Sequence, residues 1–199
     1  MLERRSALIM ALGRGGRDGA GGGRRCRIGE VKGSSLIQAA GFPSTLQEFE
    51  ERLETILGEL PIGSHSVVPG ERTIFRTCPQ QFWIVGPEDG LFGRLSEAIG
   101  PDFGTVTSLS HSRTRIFIEG DCAADILKKG VALDFHPQIF KPGQAALTGL
   151  HHTPVLIHRI REDRFEIYAM RTFALSVWEW LTDAALEFGY ETAAEEAGS

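Results

Sequence analysis

Long apolar runs are missing from this 199-residue chain. No stretch approaches the ~20 residues that a bilayer-crossing helix needs, which argues against a spanning segment. Cysteine is scarce: Cys26, Cys78 and Cys122 are an odd three with no close spacing. That pattern does not suggest a disulfide framework. A basic excess is missing too, since the formal net charge is −5. Without one, the chain as a whole is poorly suited to displace counterions from nucleic-acid phosphates. The same acidity disfavours an anionic membrane surface as a partner.

The catalytic signatures are equally thin. No Cys-x-x-Cys or His-Glu-x-x-His metal spacing is present among the six histidines, His65, His111, His136, His151, His152 and His158. There is no Gly-x-Ser-x-Gly elbow. The glycines at 13–16 and 21–23 lack the preceding strand, following helix and Walker lysine of a phosphate loop. Ser110 and Ser112 flank His111, but neighbours on an extended chain point to opposite faces. Asp134, His136, His151 and His152 form a metal set only if folding gathers them; ordinary loop histidines are the plainer reading. Cys122 opens a helix, where the dipole favours a thiolate. A small buried residue fits it better.

What the chain does have is a core-forming composition, 42% hydrophobic and 24% charged, which suits one globular domain or two small ones. Charge is unevenly spread. Residues 1–33 sum to +5 and residues 34–199 to −10, and nine of the 24 glycines lie in the first 33 positions. Residues 1–33 therefore read as a basic, Gly/Arg-rich, disordered extension, residues 34–190 as the folded body, and 191–199 as a loose acidic tail. The apolar run Ala7–Leu12 after Arg4 and Arg5 is short for a signal peptide, and no Ala-x-Ala site follows. A cytoplasmic location is expected. An arginine-glycine RNA tail is the alternative reading of Arg14–Arg17 and Gly23–Arg25.

Along the body, Cys26–Val31 reads as a short strand and Ser34–Ala40 as strand or turn. Ser44 and Gln47 form a capping box for a helix whose apolar face is Leu46, Phe49, Leu53, Ile56, Leu57 and Leu60. Thr73–Arg76 and Gln81–Val85 read as a hairpin, followed by a helix from Pro87 to Ile99. Gly104–Leu109 and Arg113–Glu119 read as a second strand pair, followed by a helix capped by Asp121. These two strand-pair-then-helix units, 73–99 and 104–130, form a weak repeat. Three more strands follow, Ala145–Leu150, Pro154–Ile160 and Phe165–Met170. The last helix, Phe173–Phe188, is capped by Thr172, with Gly189 past its end. The order predicts an α+β fold of antiparallel hairpins with packed helices.

Arginines offer one chemistry. Arg113 and Arg115 flank a strand start, and Arg159, Arg161, Arg164 and Arg171 cluster later. Strand-end arginines suit bidentate capture of a carboxylate, as in a folate glutamyl tail; pairing with the body's own acids is the simpler use. On the last helix Trp178 belongs to the core face, which leaves Trp180 partly exposed and suited to a subunit contact.

The ordered wording of residues 108–181 carries a resemblance. Ser-Leu-Ser-His-Ser-Arg-Thr-Arg-Ile-Phe-Ile-Glu-Gly (108–120) precedes Leu-Lys-Lys-Gly (127–130), Leu133-Asp134-Phe135-His136-Pro137 and Phe140-Lys141-Pro142-Gly143. Arg171-Thr172-Phe173-Ala174 and Trp178-Glu179-Trp180-Leu181 follow. The string resembles the gamma subunit of heterotetrameric sarcosine oxidase, over roughly residues 68–189. Residues 1–25 match nothing in that pattern. The resemblance implies a fold related to the folate-binding aminomethyltransferase, the glycine-cleavage T-protein. It implies alpha, beta and delta subunits as partners. It further implies a complex that oxidatively demethylates sarcosine to glycine and passes the one-carbon unit to tetrahydrofolate, with FAD, FMN, NAD and zinc on the other chains. It brings no catalytic residue to this chain. On that reading Arg159, Arg171 and Trp180 are the candidate interface residues. The alternative is a free-standing folate-binding module, with Arg113 or Arg159 holding the glutamyl tail.

Overall fold

The computed structural model describes residues 5–23, 25–63, 67–68 and 70–197, with the side chains of 67 and 68 excepted. His65, Arg4 and Arg24 fall outside the described residues.

In chain order the elements begin with α1 (Ile9–Leu12), β1 (Arg17–Asp18), β2 (Cys26–Lys32), β3 (Ser35–Gly41) and α2 (Leu46–Leu57). Next come β4 (Val67–Val68), β5 (Thr73–Cys78), β6 (Gln81–Gly86), α3 (Leu91–Phe103), β7 (Gly104–Ser108) and β8 (Arg113–Glu119). Then follow α4 (Ala123–Lys128), β9 (Ala145–Leu150), β10 (Thr153–Arg161), β11 (Arg164–Met170), α5 (Ala174–Ala184) and β12 (Gly189–Glu196). The chain divides into two compact units. One comprises the residues up to Lys32 together with those from His111 onward; the other is Gly33–Ser110.

The first unit holds a seven-stranded sheet in the order β1-β12-β2-β8-β11-β10-β9. All neighbours run antiparallel except β12 and β2, which are parallel, with Tyr190 opposite Cys26. Period-two alternation puts Ile28, Ile116, Ile118, Val155, Ile157, Phe165, Ile167 and Ala169 into one buried cluster. Ala174, Val177, Trp178 and Leu181 of α5 and Ile126 and Leu127 of α4 belong to the same cluster. Each large side chain there stabilises the fold by ~1.5–3 kcal/mol of burial.

The second unit holds a five-stranded antiparallel sheet, β4-β5-β6-β3-β7. Ile37, Ala39, Ile74, Phe82 and Ile84 pack with Phe49 and Leu53 of α2 and Leu91, Leu95 and Ile99 of α3. Arg52 ties the two helices: it donates to the Ala98 carbonyl at 2.6 Å and lies over the Phe103 ring. The helical run of α3 breaks at Gly100, whose φ of 63° suits glycine, with Pro101 next.

Mixed α and β with antiparallel sheets is therefore correct as a class, but several local expectations change. Residues 1–33 are not a disordered extension over their described part. Leu8 and Ala11 are buried in the first unit's core, and Cys26–Lys32 is β2, an interior strand of its sheet. The glycines there serve close approach. A Cβ on Gly16 would lie 2.1 Å from the Tyr190 carbonyl oxygen, and one on Gly19 2.5 Å from the Phe188 carbonyl carbon. The tail is not loose through 196 either, because it forms β12 against β2. Gly104–Leu109 and Arg113–Glu119 are not a hairpin. β7 pairs with β3 in one sheet, and β8 pairs with β2 and β11 in the other. The weak repeat dissolves with that pairing. The proposed caps give way as well. Short 3-10 turns, Pro43–Thr45 and Arg171–Phe173, lead into α2 and α5 without side-chain caps. Such turns use backbone carbonyls for the first N–H groups. Gln47 instead donates to Glu51, and Asp121 accepts from Arg25 at 2.7 Å.

Candidate functional site

Three groups of ionisable side chains stand out in the first unit. The innermost centres on β8, β10 and β11. Arg115 stands opposite Tyr168, and His158 opposite Glu166, in the ladder registers. Arg115 grips Glu166 bidentately at 2.7 and 2.8 Å, and the Tyr168 hydroxyl donates to the same carboxylate at 2.9 Å. Burial, with the Glu166 charge alongside, raises the Tyr168 phenol well above its usual range. Burial also pushes His158 down to about 4; the Glu166 carboxylate opposes this and Arg115 adds to it. His158 is therefore neutral at pH 7.

The second group is a lattice of three arginines on two glutamates. Arg27 reaches Glu119 at 3.4 Å and Glu195 at 3.1 Å. Arg164 reaches the same two at 2.9 and 2.7 Å, and Arg161 adds a further bond to Glu119. Arg164 lies over the Phe117 ring at 4.4 Å. Arg164 first, then Arg27, holds the Glu195 carboxyl below its usual range. The lattice joins β2, β8, β10, β11 and β12. Here the body's acids do take up the arginines.

The third group surrounds Arg159, which is only 2% exposed. Its guanidinium donates to the carbonyls of Phe135 at 3.1 Å, Phe140 at 2.6 Å, Glu162 at 2.7 Å and Arg161 at 3.4 Å, and lies over Phe165. Arg159 ties the 135–140 loop to the β10–β11 turn. It lines a cavity of about 440 Å³ with Asp121, Asp134, His136, Glu162 and Asp163. Held inward by four carbonyls and 2% exposed, Arg159 offers little surface for the interface role expected of it. Those contacts equally leave it ill placed to hold a glutamyl tail.

The remaining candidates are distributed as follows. Trp180 is half-buried, and its ring covers Gly130 so closely that a Cβ there would meet Cζ2 at 2.2 Å. Arg171 is half-buried at the β11–α5 junction. Its N–H donates to the Ser112 carbonyl at 2.8 Å and its Nη2 to the Arg5 carbonyl at 2.5 Å. Arg113 leans on Ser112, and burial lowers its pKa. Asp134 caps its own loop by accepting the His136 N–H at 2.8 Å. His151 and His152 form the turn between β9 and β10. Among the described residues no three His, Cys, Asp or Glu side chains gather as metal ligands. Burial raises both Cys26 and Cys122, so the helix position does not activate Cys122.

Exposed apolar side chains, which the sequence reading does not pick out, mark the surface around Arg171. Met170, Phe173 (42%) and Leu175 (48%) stand out to solvent within six residues. Ile9 and Met10 of α1, close in sequence to Arg5, are more exposed still. A run such as Met-Arg-Thr-Phe-Ala-Leu at a strand-to-helix junction is the signal that would have found them. Buried charges paired inward and an apolar rim outward suit association better than catalysis.

A family model described as "Sarcosine oxidase, gamma subunit family" matches residues 48–187. Sarcosine oxidase subunit gamma of an Arthrobacter species is 34% identical over 117 residues, which is 58% of this chain and 58% of that protein. The namesake from Corynebacterium sp. (strain U-96) is 35% identical over 111 residues, 55% of this chain and 54% of its own length. These alignments thus span little more than half of each curated relative. Among solved structures, a chain of the heterotetrameric sarcosine oxidase from Corynebacterium sp. U-96, in complex with pyrrole 2-carboxylate, superposes with a TM-score of 0.81 at 27% identity. That match covers 93% of this chain and 96% of the other. The glycine cleavage system aminomethyltransferase T from Bartonella henselae shares the fold, with a TM-score of 0.59 at 18% identity over 86% of this chain and 48% of that one.

Proposed function

The chain belongs to the sarcosine oxidase gamma subunit family, and from that premise we propose that it is the gamma subunit of a heterotetrameric complex that oxidatively demethylates sarcosine to glycine. Alpha, beta and delta chains are its proposed partners. FAD, FMN, NAD and zinc are assigned to those chains, and tetrahydrofolate is the proposed one-carbon acceptor. This chain contributes by burying surface and stabilising the assembly.

The observation that carries the reading is the apolar rim of Met170, Phe173 and Leu175 around Arg171. Exposed aromatic and aliphatic groups beside an arginine are what an interface core buries. The free-standing folate reading loses one of its two candidate anchors, Arg113 or Arg159, because Arg159 is held by four backbone carbonyls.

The test is purification of the full chain through an affinity tag from cells expressing the neighbouring genes. Three further chains, flavin absorbance and sarcosine-dependent oxygen uptake are expected. A lone chain that titrates with tetrahydrofolate would overturn the proposal.

A further inference from the structure

The seven-stranded sheet ends differently at its two edges. β1 is two residues long and carries Arg17 and Asp18. Short, charged edges resist unwanted pairing. β9 is six residues, Ala-Ala-Leu-Thr-Gly-Leu, with no charge and no proline. It also has no bulge in its register with β10, which runs unbroken from Thr153 opposite Leu150 to His158 opposite Ala145. Its two-residue turn holds His151 at a φ of 53°.

Which backbone groups face outward follows from the register. The Arg159 N–H donates to the Gln144 carbonyl at 2.9 Å, so in the pair 144–159 residue 144 turns its C=O toward β10. Antiparallel ladders alternate such pairs. Ala146 and Thr148 therefore bond to β10, and the N–H and C=O of Leu147 turn the other way. Leu147 is 41% exposed, and among the described residues no strand lies beyond β9. The two ends are covered, Ala145 being buried and Val131 bridging Leu150, which leaves the middle of the strand open.

We propose that β9 is an open docking edge onto which another subunit of the complex adds an extended, uncharged segment. Outward N–H and C=O groups on an unguarded strand are matched by extended backbone, and Leu147 takes an apolar neighbour. The proposal rests on the assembly reading above and adds a contact distinct from the Arg171 rim. Interface area selects the occupant. A few residues of strand edge bury far less than the ~1,200 Å² that a stable pair of proteins needs. The edge is therefore one part of a wider interface. A multi-subunit assembly supplies the remainder, and a second copy meeting on β9 alone does not.

The test compares the free full chain with the co-purified complex by amide exchange, and adds Leu147→Pro and Leu147→Lys. Proline at 147 removes an outward N–H and spares the ladder to β10. Exchange at Leu147 should slow at least tenfold in the complex, while Ala146 and Thr148, already bonded, change little. Both variants should weaken association at least tenfold, and Leu147→Lys serves should the proline variant fail to fold. A complex that forms with β9 exchange unchanged, or that accepts Leu147→Lys at full affinity, overturns the docking edge and leaves the assembly reading standing. Concentration-dependent dimers of the free chain with the same protection overturn the occupant. A chain that recruits no other subunit overturns both.

Discussion

Glu166 receives both arms of the Arg115 guanidinium inside the first unit, at 2.7 and 2.8 Å. The carboxylate is almost wholly buried and the arginine mostly so. Removing one partner leaves the other, largely buried charge without its direct ion pair. Glu166→Gln or Arg115→Met should each cost about 3 kcal/mol in denaturant unfolding. The double change Arg115→Met with Glu166→Leu should cost less than either single one, because no charge is then stranded. Equal or additive losses would contradict this.

His158 makes stability depend on acidity. Its folded pKa of about 4 lies below the ordinary 6.5. The unfolded chain therefore binds the proton first. The neutral form costs nothing above pH 6.5, and stability falls as pH drops from 6.5 toward 4, by up to about 3 kcal/mol. Unfolding free energies measured across pH 7.5 to 4.5 should show this slope, and His158→Asn should flatten it by close to one proton.

Gly16 sets how the N-terminal segment lies on β12. Gly16→Ala places a methyl 2.1 Å from the Tyr190 carbonyl oxygen, against backbone that cannot swing aside. The expected loss is about 1–3 kcal/mol. Limited proteolysis should then cut faster within residues 5–23, whereas Gly21→Ala, with open space around it, should cut at the wild-type rate.

The Arg171 rim and Trp180 should respond differently to substitution. Phe173→Ser and Leu175→Ser remove exposed side chains, so the melting temperature should stay near wild type while association weakens roughly 30-fold, the scale of an interface hot spot. Trp180→Ala uncovers Gly130 and should lower stability of the free chain by about 2 kcal/mol. If Phe173→Ser leaves assembly at wild-type affinity, the rim is not the contact.

Period-two runs made most strands readable. Thr73–Cys78, Gln81–Gly86, Ala145–Leu150, Thr153–Arg161 and Arg164–Met170 all lie within a few residues of their expected places. Partners were less readable. β7 and β8 are adjacent in sequence, yet each has better-matched strands elsewhere, and no proline or glycine near Ser110 marks the boundary. Residues 1–33 misled because glycine reads as looseness by composition. Gly16 and Gly19 in fact admit a neighbouring backbone, which depends on a strand far away in the chain. Arg159 misled for a similar reason: a strand-end arginine looks solvent-facing until the 135–140 loop folds over it. The rim at Met170–Leu175 was legible only in part, since apolar residues at a helix start read first as core.

The parallel junction of β2 with β12 also sets a schedule. Cys26 and Gly189, hydrogen-bonded across it, are 163 positions apart. During synthesis Gly33–Ser110 can complete its own sheet early, as a local unit should. Cys26–Lys32 emerges before it and waits, both flanks bare, until Arg113–Glu119 and then Gly189–Glu196 leave the ribosome. An interior strand of the larger sheet is thus made well before the two strands that enclose it. Slow, late closure of that kind favours a cell that keeps nascent chains apart while translation finishes.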